Sequence, residues 1–404
     1  GLEMTSFLSR IAKSPSERLL MRFYVNDPWF NSKPWEDYYG REPFDLYIPL
    51  GASRLNGDGS VSPPTDLSLL TVDTELGELL RDQACESIPH MLRAFDSRAD
   101  QAGPVVWVYP FDEWDALLKR QPERLSRITF LEWFFCQAVN AGLPVNTVCS
   151  TDIFQELQAA GKLPRATYIA PTPALAGWDS TRALHEHLLD GGRVIFYGPL
   201  DEMPAKLLGL LQVDLAEPLE GDFHLDHHLP LDRFEGPARP PEGGDAFEAS
   251  VGHAVKEVEA NEASGDLSLR HDPRIDGGGL CAVSSNPETV RVEARQGDAA
   301  RAYAVSRELP GGGRIAWVRG TTGMDPDSDS LEPVRVQPWT GLLAEDLPRR
   351  LLADFGFDIL QERASPATRA ANLFVTRRQG DWLFLGHKPD TTARLLVRTS
   401  DGAP

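Results

Sequence analysis

The sequence predicts an α/β fold built on an open parallel sheet, and two features of residues 104–200 carry this prediction. First, four short apolar runs, at 105–109, 144–148, 166–170 and 193–198, alternate with segments whose apolar residues recur at helical spacing. Second, the runs are apolar throughout, which is typical of strands covered by helices on both faces. Strands and helices that alternate with right-handed crossovers form a parallel sheet.

The helices between these strands carry their own start and stop signals. The segment 123–140 has apolar residues at helical spacing, and Gly142 follows it at the position where a glycine ends a helix. Residues 150–152 are Ser-Thr-Asp, whose side chains cap the free N–H groups at the start of a helix. A third helix is predicted over 179–189, where two glycines follow it.

The composition limits the class of protein. The chain has 404 residues, a net charge of −20 and 41% hydrophobic residues, so two or three domains with real cores are expected. The acidic excess argues against nucleic acid and anionic membranes as partners, because both require basic surface. No apolar run reaches the roughly 18–20 residues of a membrane span. The four cysteines form no CxxC pair that would indicate a zinc site. We expect a cytoplasmic protein without a cofactor or metal.

The segment 27–39 is rich in aromatic and polar residues, and its prolines argue against a helix. Aromatic rings can stack on the C–H faces of a sugar, while carboxylates and amides bind its hydroxyls. The alternative is that the aromatic residues anchor a long loop to the core. The candidate substrate-binding residues are Trp29, Asn31, Trp35, Glu36, Asp37 and Tyr38.

Carboxylates follow a strand-like segment at 67–73. Asp73 and Glu75 are two positions apart, so they point the same way in an extended chain, and barrel enzymes place catalytic groups where strands end. The alternative is that both are ordinary strand-end or helix-capping residues. Glu75 is the candidate nucleophile or acid, and Asp73, Asp112 or Glu113 is the candidate partner. The turn signal at 56–59 predicts a hairpin between strands at 44–50 and 67–73.

The second half of the chain is predicted to be mostly β. His224, Asp226 and His227 have a spacing that could bind a divalent metal, but no further ligand cluster is evident. Strands are predicted at 302–306 and 314–318, joined by the turn at 310–313. Three strands of one antiparallel sheet are predicted after residue 371, preceded by a helix over 342–355. Further strands are predicted at 282–284 and 289–293.

Four stretches resemble the middle domain of the beta-galactosidase type glycoside hydrolases, a trimerisation domain with a class I glutamine amidotransferase-like fold. They are 142–146 (Gly-Leu-Pro-Val-Asn), 168–173 (Tyr-Ile-Ala-Pro-Thr-Pro), 189–195 (Leu-Asp-Gly-Gly-Arg-Val-Ile) and 314–320 (Arg-Ile-Ala-Trp-Val-Arg-Gly). The resemblance implies a partial (β/α) barrel over 1–103, the amidotransferase-like domain with a β-rich insertion over 104–345, and a helix with a small β domain over 346–404. It also implies a carbohydrate substrate and a homo-oligomer.

The sequence departs from that pattern in two places. A working amidotransferase has a cysteine in the turn after a sheet strand, and residues 198–202 contain none, so glutaminase chemistry is not expected. A complete barrel needs about 250 residues, whereas only about 100 precede the α/β segment. Three hypotheses stay open: a glycoside hydrolase or part of one, a non-catalytic carbohydrate-binding module, and an oligomerisation subunit.

Overall fold

The computed structural model describes residues 2–26, 47–71, 81–174, 178–230, 232–234, 255–257, 267–271, 279–320, 323–324, 333–337, 344–363, 370–387 and 394–399. Helices and strands alternate in the first half, and strands dominate the second. The α-helices of the described residues are α1 Leu2–Ile11, α2 Tyr47–Leu50, α3 Arg81–Asp96, α4 Phe111–Arg120, α5 Leu125–Asn140, α6 Thr151–Ala159, α7 Asp179–Leu189, α8 Ala205–Leu211 and α9 Leu347–Leu351.

The strands of the described residues are numbered in chain order. Those up to residue 200 are β1 Leu20–Asn26, β2 Ser53–Leu55, β3 Val61–Ser62, β4 Asp66–Thr71, β5 Val105–Tyr109, β6 Val145–Ser150, β7 Thr167–Pro171 and β8 Arg193–Tyr197. Those after it are β9 Val213–Leu219, β10 Gly221–His227, β11 Arg233–Phe234, β12 Val255–Glu257, β13 Leu267–His271, β14 Leu280–Ser284, β15 Val290–Gln296, β16 Ala299–Glu308, β17 Arg314–Val318, β18 Gly323–Met324, β19 Pro333–Gln337, β20 Phe357–Arg363, β21 Asn372–Arg378, β22 Asp381–His387 and β23 Arg394–Thr399.

The chain divides into two compact units. The first unit comprises Gly1–Tyr109, Pro144–Ala166 and Ala371–Asp390, and the second comprises the rest. In the first unit β5, β6 and β2 lie side by side and run parallel, with β3 antiparallel at the edge. Strands β1 and β4 form a separate parallel pair, and β21 and β22 form an antiparallel hairpin.

Strand β6 is buried along its whole length, as the apolar run predicts, and two of its polar residues, Asn146 and Thr147, are satisfied inside the unit. Asn146 donates from Nδ2 to the carbonyl of Gly51 at 3.0 Å. The hydroxyl of Thr147 lies 3.0 Å from that of Ser53 and accepts a hydrogen bond from the backbone N–H of Gly103. Because buried polar groups need partners, these contacts fix the position of β6 in the sheet.

In the second unit seven strands lie side by side in the order β13-β10-β15-β16-β17-β8-β7. Strands β17, β8 and β7 run parallel, and the other neighbours are antiparallel. The hairpin of β16 and β17 confirms the prediction for residues 302–318. Helix α5 ends where predicted, since Gly142 has a φ of 91°, a conformation that glycine adopts without steric cost.

The α/β fold is confirmed, since helices α5, α6 and α7 alternate with β5 to β8 in the predicted order. The prediction missed α4, which lies between β5 and α5. The division into three domains and the amidotransferase-like arrangement remain predictions.

Two predicted strand pairings are wrong. The turn at 56–59 joins β2 to β3, while residues 47–50 are helical and β4 pairs in parallel with β1. A tight turn can connect only the strands that flank it directly, and the backbone N–H of Asn56 donates to the carbonyl of Ser60. Near the end of the chain, β23 pairs with β20 and not with the hairpin of β21 and β22.

Candidate functional site

The strands β1 and β4, which precede two of the predicted site segments in the chain, form a parallel pair. The register runs from Leu20 opposite Asp66 to Asn26 opposite Thr71, with one irregularity between Tyr24 and Asn26. Both strands therefore end at the same level. Neighbouring strands lie about 4.8 Å apart, so the two chain ends are adjacent.

The chain continues from these strand ends directly into the predicted site residues. Residues 27–39, which include all six candidate substrate-binding residues, follow Asn26, and Asp73 and Glu75 follow Thr71. These residues lie outside the described part of the chain.

Ion pairing at the opposite end of the two strands holds the register. Arg18 donates from Nε to Oδ2 of Asp66 at 2.9 Å and makes a second contact to Oδ1. The Thr65 hydroxyl also donates to Asp66, and it accepts a hydrogen bond from the backbone N–H of Leu19. The Arg18 hydrogen bond lowers the pKa of Asp66 to about 2, so this carboxylate stays charged at neutral pH. A charged carboxylate that accepts several hydrogen bonds strengthens each of them.

Of the candidate catalytic residues, the structure describes Glu113 and its alternative Asp112. Glu113 lies half-exposed in the first turn of α4, beside the exposed Asp112, and Trp114 next to it is buried. Two acidic residues in a first turn interact favourably with the positive end of the helix dipole. This interaction gives them a structural role that does not depend on catalysis. A pairing of Glu113 with Glu75 or Asp73 stays a prediction.

The carboxyl ends of β7, β8 and β17 in the second unit are the usual position of an active site in an open α/β sheet. Gly198 follows β8 with a φ of 115°, and its N–H donates to the carbonyl of Val318 at 3.0 Å. The indole of Trp317 donates to the carbonyl of Gly198 at 2.7 Å. A side chain at position 198 would collide with Leu131 and Thr172. Position 198 therefore has no room for a nucleophilic side chain.

A buried arginine fills this edge. Arg127 on α5 donates to Oδ1 of Asp201 at 2.7 Å and to the carbonyls of Pro173 and Pro199 at 3.0 and 3.3 Å. Its side chain has no exposed surface. Arg127 precedes Leu131 by one helical turn on the apolar face of α5, and a charged residue at such a position is the signal that the sequence prediction missed.

A second buried arginine, Arg319, lies beside the same edge. Its guanidinium carbon is 5.2 Å from the centre of the Phe130 ring. Burial lowers the pKa of Arg319 to about 10, so the group stays protonated at neutral pH, while burial raises the pKa of Tyr303 nearby. Guanidinium groups that stay charged cannot act as general bases. At this edge they can hold neighbouring groups in place or provide positive charge.

The buried cysteines do not offer a nucleophile. Burial raises the pKa of Cys149 well above its ordinary value, and Asp152 adds to this effect. Cys281 is half-buried, and burial raises the pKa of its thiol too. Since the thiolate is the reactive form, neither thiol is activated.

The histidine-rich stretch lies on β10 and at its end. His224 and Asp226 occupy one face of the strand, and Leu225 on the other face is buried. Across the described ranges, no group of three or more histidine, cysteine or acidic side chains could hold a metal ion. Likewise, none of the helices in those ranges has the length and apolar character needed to cross a membrane.

The chain matches no protein-family profile and no curated protein. Among solved structures, a catalytic mutant of Gan42B, a GH42 beta-galactosidase from G. stearothermophilus, aligns with 97% of this chain at 10% identity and a TM-score of 0.46. The beta-galactosidase from Rahnella sp. R3 aligns with 98% at 12% identity and a TM-score of 0.44. That from Halorubrum lacusprofundi aligns with 95% at 14% identity and a TM-score of 0.40.

This chain covers only 60%, 57% and 60% of those three proteins, respectively. All three TM-scores are below 0.5.

Proposed function

We propose that this chain is a glycoside hydrolase or part of one, acting on a carbohydrate at the edge where β1 and β4 end. The observation that carries the proposal is the register of Asn26 opposite Thr71. Because of this register, the aromatic segment 27–39 and the carboxylates Asp73 and Glu75 follow the neighbouring ends of one parallel strand pair. Groups that follow parallel strands at their carboxyl ends are where such folds assemble sites.

The proposed chemistry uses two carboxyl groups. Glu75 acts as nucleophile or acid, and Asp73 or Glu113 acts as its partner. Retention of configuration requires the two groups about 5–5.5 Å apart, so that one attacks the anomeric carbon while the other protonates the leaving oxygen. A wider spacing admits a water molecule between carboxylate and sugar and gives inversion.

The sugar itself is held by the residues after β1. Trp29, Trp35 and Tyr38 provide flat apolar surfaces for the C–H faces of a pyranose ring, which removes apolar area from water. Asn31, Glu36 and Asp37 bind hydroxyls. A mostly apolar site with a few polar groups that fix orientation is the usual form of a small-molecule pocket.

Turnover of nitrophenyl glycosides tests the catalytic part of the proposal. We expect the wild-type chain to release nitrophenol from at least one β-glycoside, and Glu75→Gln to lower kcat by at least a hundredfold with an unchanged melting temperature. Glu217→Gln is the matched control, because Glu217 is an exposed strand residue of the second unit. Equal rates for the two variants would remove Glu75 from the mechanism.

Two tryptophan variants test the sugar platform. Trp35→Ala and Trp29→Ala should abolish sugar-induced changes in tryptophan fluorescence while costing little stability. Trp107 in β5 is fully buried, so Trp107→Ala serves as the packing reference and should cost roughly 3–5 kcal/mol. If Trp29→Ala and Trp35→Ala unfold as early as the reference, the two residues pack in the core, and the proposal that they bind the sugar is wrong.

A non-catalytic carbohydrate-binding or oligomerisation module is the second candidate. The filled edge of the second unit favours it, because Arg127 occupies this edge and position 198 has no room for a side chain. Sugar binding without turnover of any nitrophenyl glycoside would support a binding module, and the absence of both would support an assembly role.

A further inference from the structure

A pocket of about 450 Å³ opens between the ends of β10 and β15 in the second unit. Its volume lies within the range of small-molecule sites, about 300–1,000 Å³. The residues that line it include two carboxylates, one arginine, two histidines and two apolar side chains: Asp226, His227, His228, Pro287, Val290, Glu293 and Arg295.

The charged residues form one fixed array across the two strands. Asp226 and Glu293 are directly opposite each other in the antiparallel register, so their side chains share a face. Arg295 binds both: its Nε lies 2.7 Å from Oδ2 of Asp226, and its Nη2 lies 2.6 Å from Oε1 of Glu293. Each contact uses one carboxylate oxygen, and all three side chains are partly exposed. One guanidinium thus positions two carboxylates at the pocket mouth.

The rest of the lining supplies donors and an apolar surface. His227 and His228 follow one another at the end of β10, and the backbone N–H of His228 donates to the carbonyl of Arg291 at 3.0 Å. Pro287 and Val290 provide apolar contact. The pocket therefore combines hydrogen-bond acceptors, hydrogen-bond donors and a small apolar surface.

This mixture fits a neutral polyhydroxy ligand better than an ion. The two carboxylates outnumber the one arginine in the lining, which disfavours anions. In the ranges that the structure describes, no side-chain group has the ligands for a metal ion. Sugar hydroxyls can donate to carboxylates and accept from arginine or histidine at the same time.

We propose that the Asp226–Glu293–Arg295 pocket is a further carbohydrate-binding site that takes one or two pyranose units. The choice of ligand class rests on the proposed function, whereas the site rests on its own geometry. The carboxylates accept hydrogen bonds from vicinal hydroxyls, Arg295 holds the carboxylates in place, and Pro287 and Val290 contact the C–H face of the ring. Charged hydrogen-bonding groups that are held in advance lose less entropy when a ligand binds.

Hydrogen-exchange mass spectrometry of the full chain with galactose, glucose or mannose tests the proposal, because it locates binding along the sequence. We expect one of these sugars to slow exchange in peptides covering 221–228 and 287–296, and calorimetry to give an association constant at least tenfold lower for Arg295→Ala. Arg182→Ala is the matched control, since Arg182 on α7 is exposed and makes an ion pair with Glu186 at 3.2 Å. The control should bind as the wild type does.

Asp226→Asn and Glu293→Gln keep the size of each side chain and guard against a folding defect in Arg295→Ala. Weaker binding in these variants supports the site. The proposal is overturned if none of the three sugars protects 221–228 and 287–296, or if all three variants bind as the wild type does. Hydrolysis of nitrophenyl glycosides is a separate readout. Protection without hydrolysis would contradict the proposed catalytic function but not this binding site.

Discussion

Arg349 donates two parallel hydrogen bonds to Asp232 in the interior of the second unit. Nη1 lies 3.1 Å from Oδ1 and Nη2 lies 2.9 Å from Oδ2, and neither side chain has exposed surface. Arg350 and Arg363 also approach this carboxylate, at 2.6 and 3.0 Å, and the backbone N–H of Gln361 donates to it. Asp232 therefore compensates several buried arginines, with Asp346 at 3.6 Å from Arg349 as a second counter-charge, and it connects β20 to α9.

Replacing this aspartate should destabilise the protein strongly. Asp232→Asn leaves the arginines buried without their shared counter-charge, and breaking a buried pair in this way costs about 3–5 kcal/mol. Urea unfolding measures the loss. Glu186→Gln is the control: it breaks an exposed pair, which is worth about 0–1 kcal/mol. Equal losses in the two variants would show that the buried cluster contributes nothing special.

The same residue predicts how the protein responds to acid. Burial by itself would raise the pKa of Asp232, but the charges of Arg349, Arg350 and Arg363 outweigh it and hold the pKa well below its usual range. A depressed pKa contributes stability that is present above the unfolded value, about 3.9, and is lost as pH falls below it. The wild type should therefore lose more stability than Asp232→Asn between about pH 4 and pH 2, as followed by circular dichroism.

Glu345 predicts a change in the opposite direction. Burial raises the pKa of this carboxyl to about 8, and the charge of Asp346 adds to the shift. Between about pH 4.5 and 8 the folded protein binds a proton that the unfolded chain does not, so stability falls as pH rises, by at most about 1.4 kcal/mol per unit. Glu345→Gln should remove this slope from urea midpoints measured from pH 5 to 8. The exposed Glu288→Gln should retain it, and a wild type without the slope would contradict the prediction.

Gly198 should not tolerate a side chain. Its φ of 115° strains any L-residue, and a Cβ would collide with Leu131 and Thr172. We expect Gly198→Ala to lower the free energy of unfolding by about 1–3 kcal/mol or more. Gly209→Ala is the matched control, because Gly209 lies within α8 with open space around it and alanine favours helix. Its free energy of unfolding should rise slightly, and a similar loss in both variants would refute the steric argument.

The thiols should differ in reactivity. Cys85 is exposed, whereas Cys136 and Cys149 are buried, and burial raises the pKa of Cys149. Iodoacetamide at pH 8 should modify Cys85 in the native protein, and Cys136 and Cys149 only after unfolding, as read by mass spectrometry. Cys136→Ala and Cys149→Ala should leave any glycosidase activity intact. Loss of activity at an unchanged melting temperature would show that one of these thiols has a functional role.

Assembly is the last prediction. The resemblance to a trimerisation domain implies a dimer or trimer of this chain, whose mass is 44.6 kDa. Light scattering at micromolar concentration should give two or three times that mass. A mass equal to one chain would count against an oligomerisation role and leave the carbohydrate proposals untouched, because those are tested by binding and turnover.

The candidate site could be predicted from the sequence only where its residues are close together in the chain. The aromatic segment 27–39 and the pair Asp73 and Glu75 are visible as local patterns, whereas no local pattern shows that the strands preceding them, β1 and β4, pair with each other. The array of Asp226, Glu293 and Arg295 escaped prediction because its members lie on two strands whose register no local pattern shows. Of the three, only Asp226 belongs to a local sequence pattern, that of the neighbouring histidines.

The sequence by itself determined the alternation of strands and helices from β5 to β8, because strands covered on both faces must be apolar throughout and helix ends carry their own signals. The tertiary structure decided which strands pair and which charges are buried. Strand β20 shows the reason: its buried residues alternate with half-exposed ones, and two of the four buried residues, Gln361 and Arg363, are polar, so the inward face does not look apolar. Asp232, far away in the chain, forms an ion pair with Arg363 and accepts a hydrogen bond from the backbone N–H of Gln361. Local sequence patterns show which secondary structure and which degree of burial each residue favours. Hydrogen bonds and ion pairs between distant residues form only when the chain folds, so no local pattern shows them.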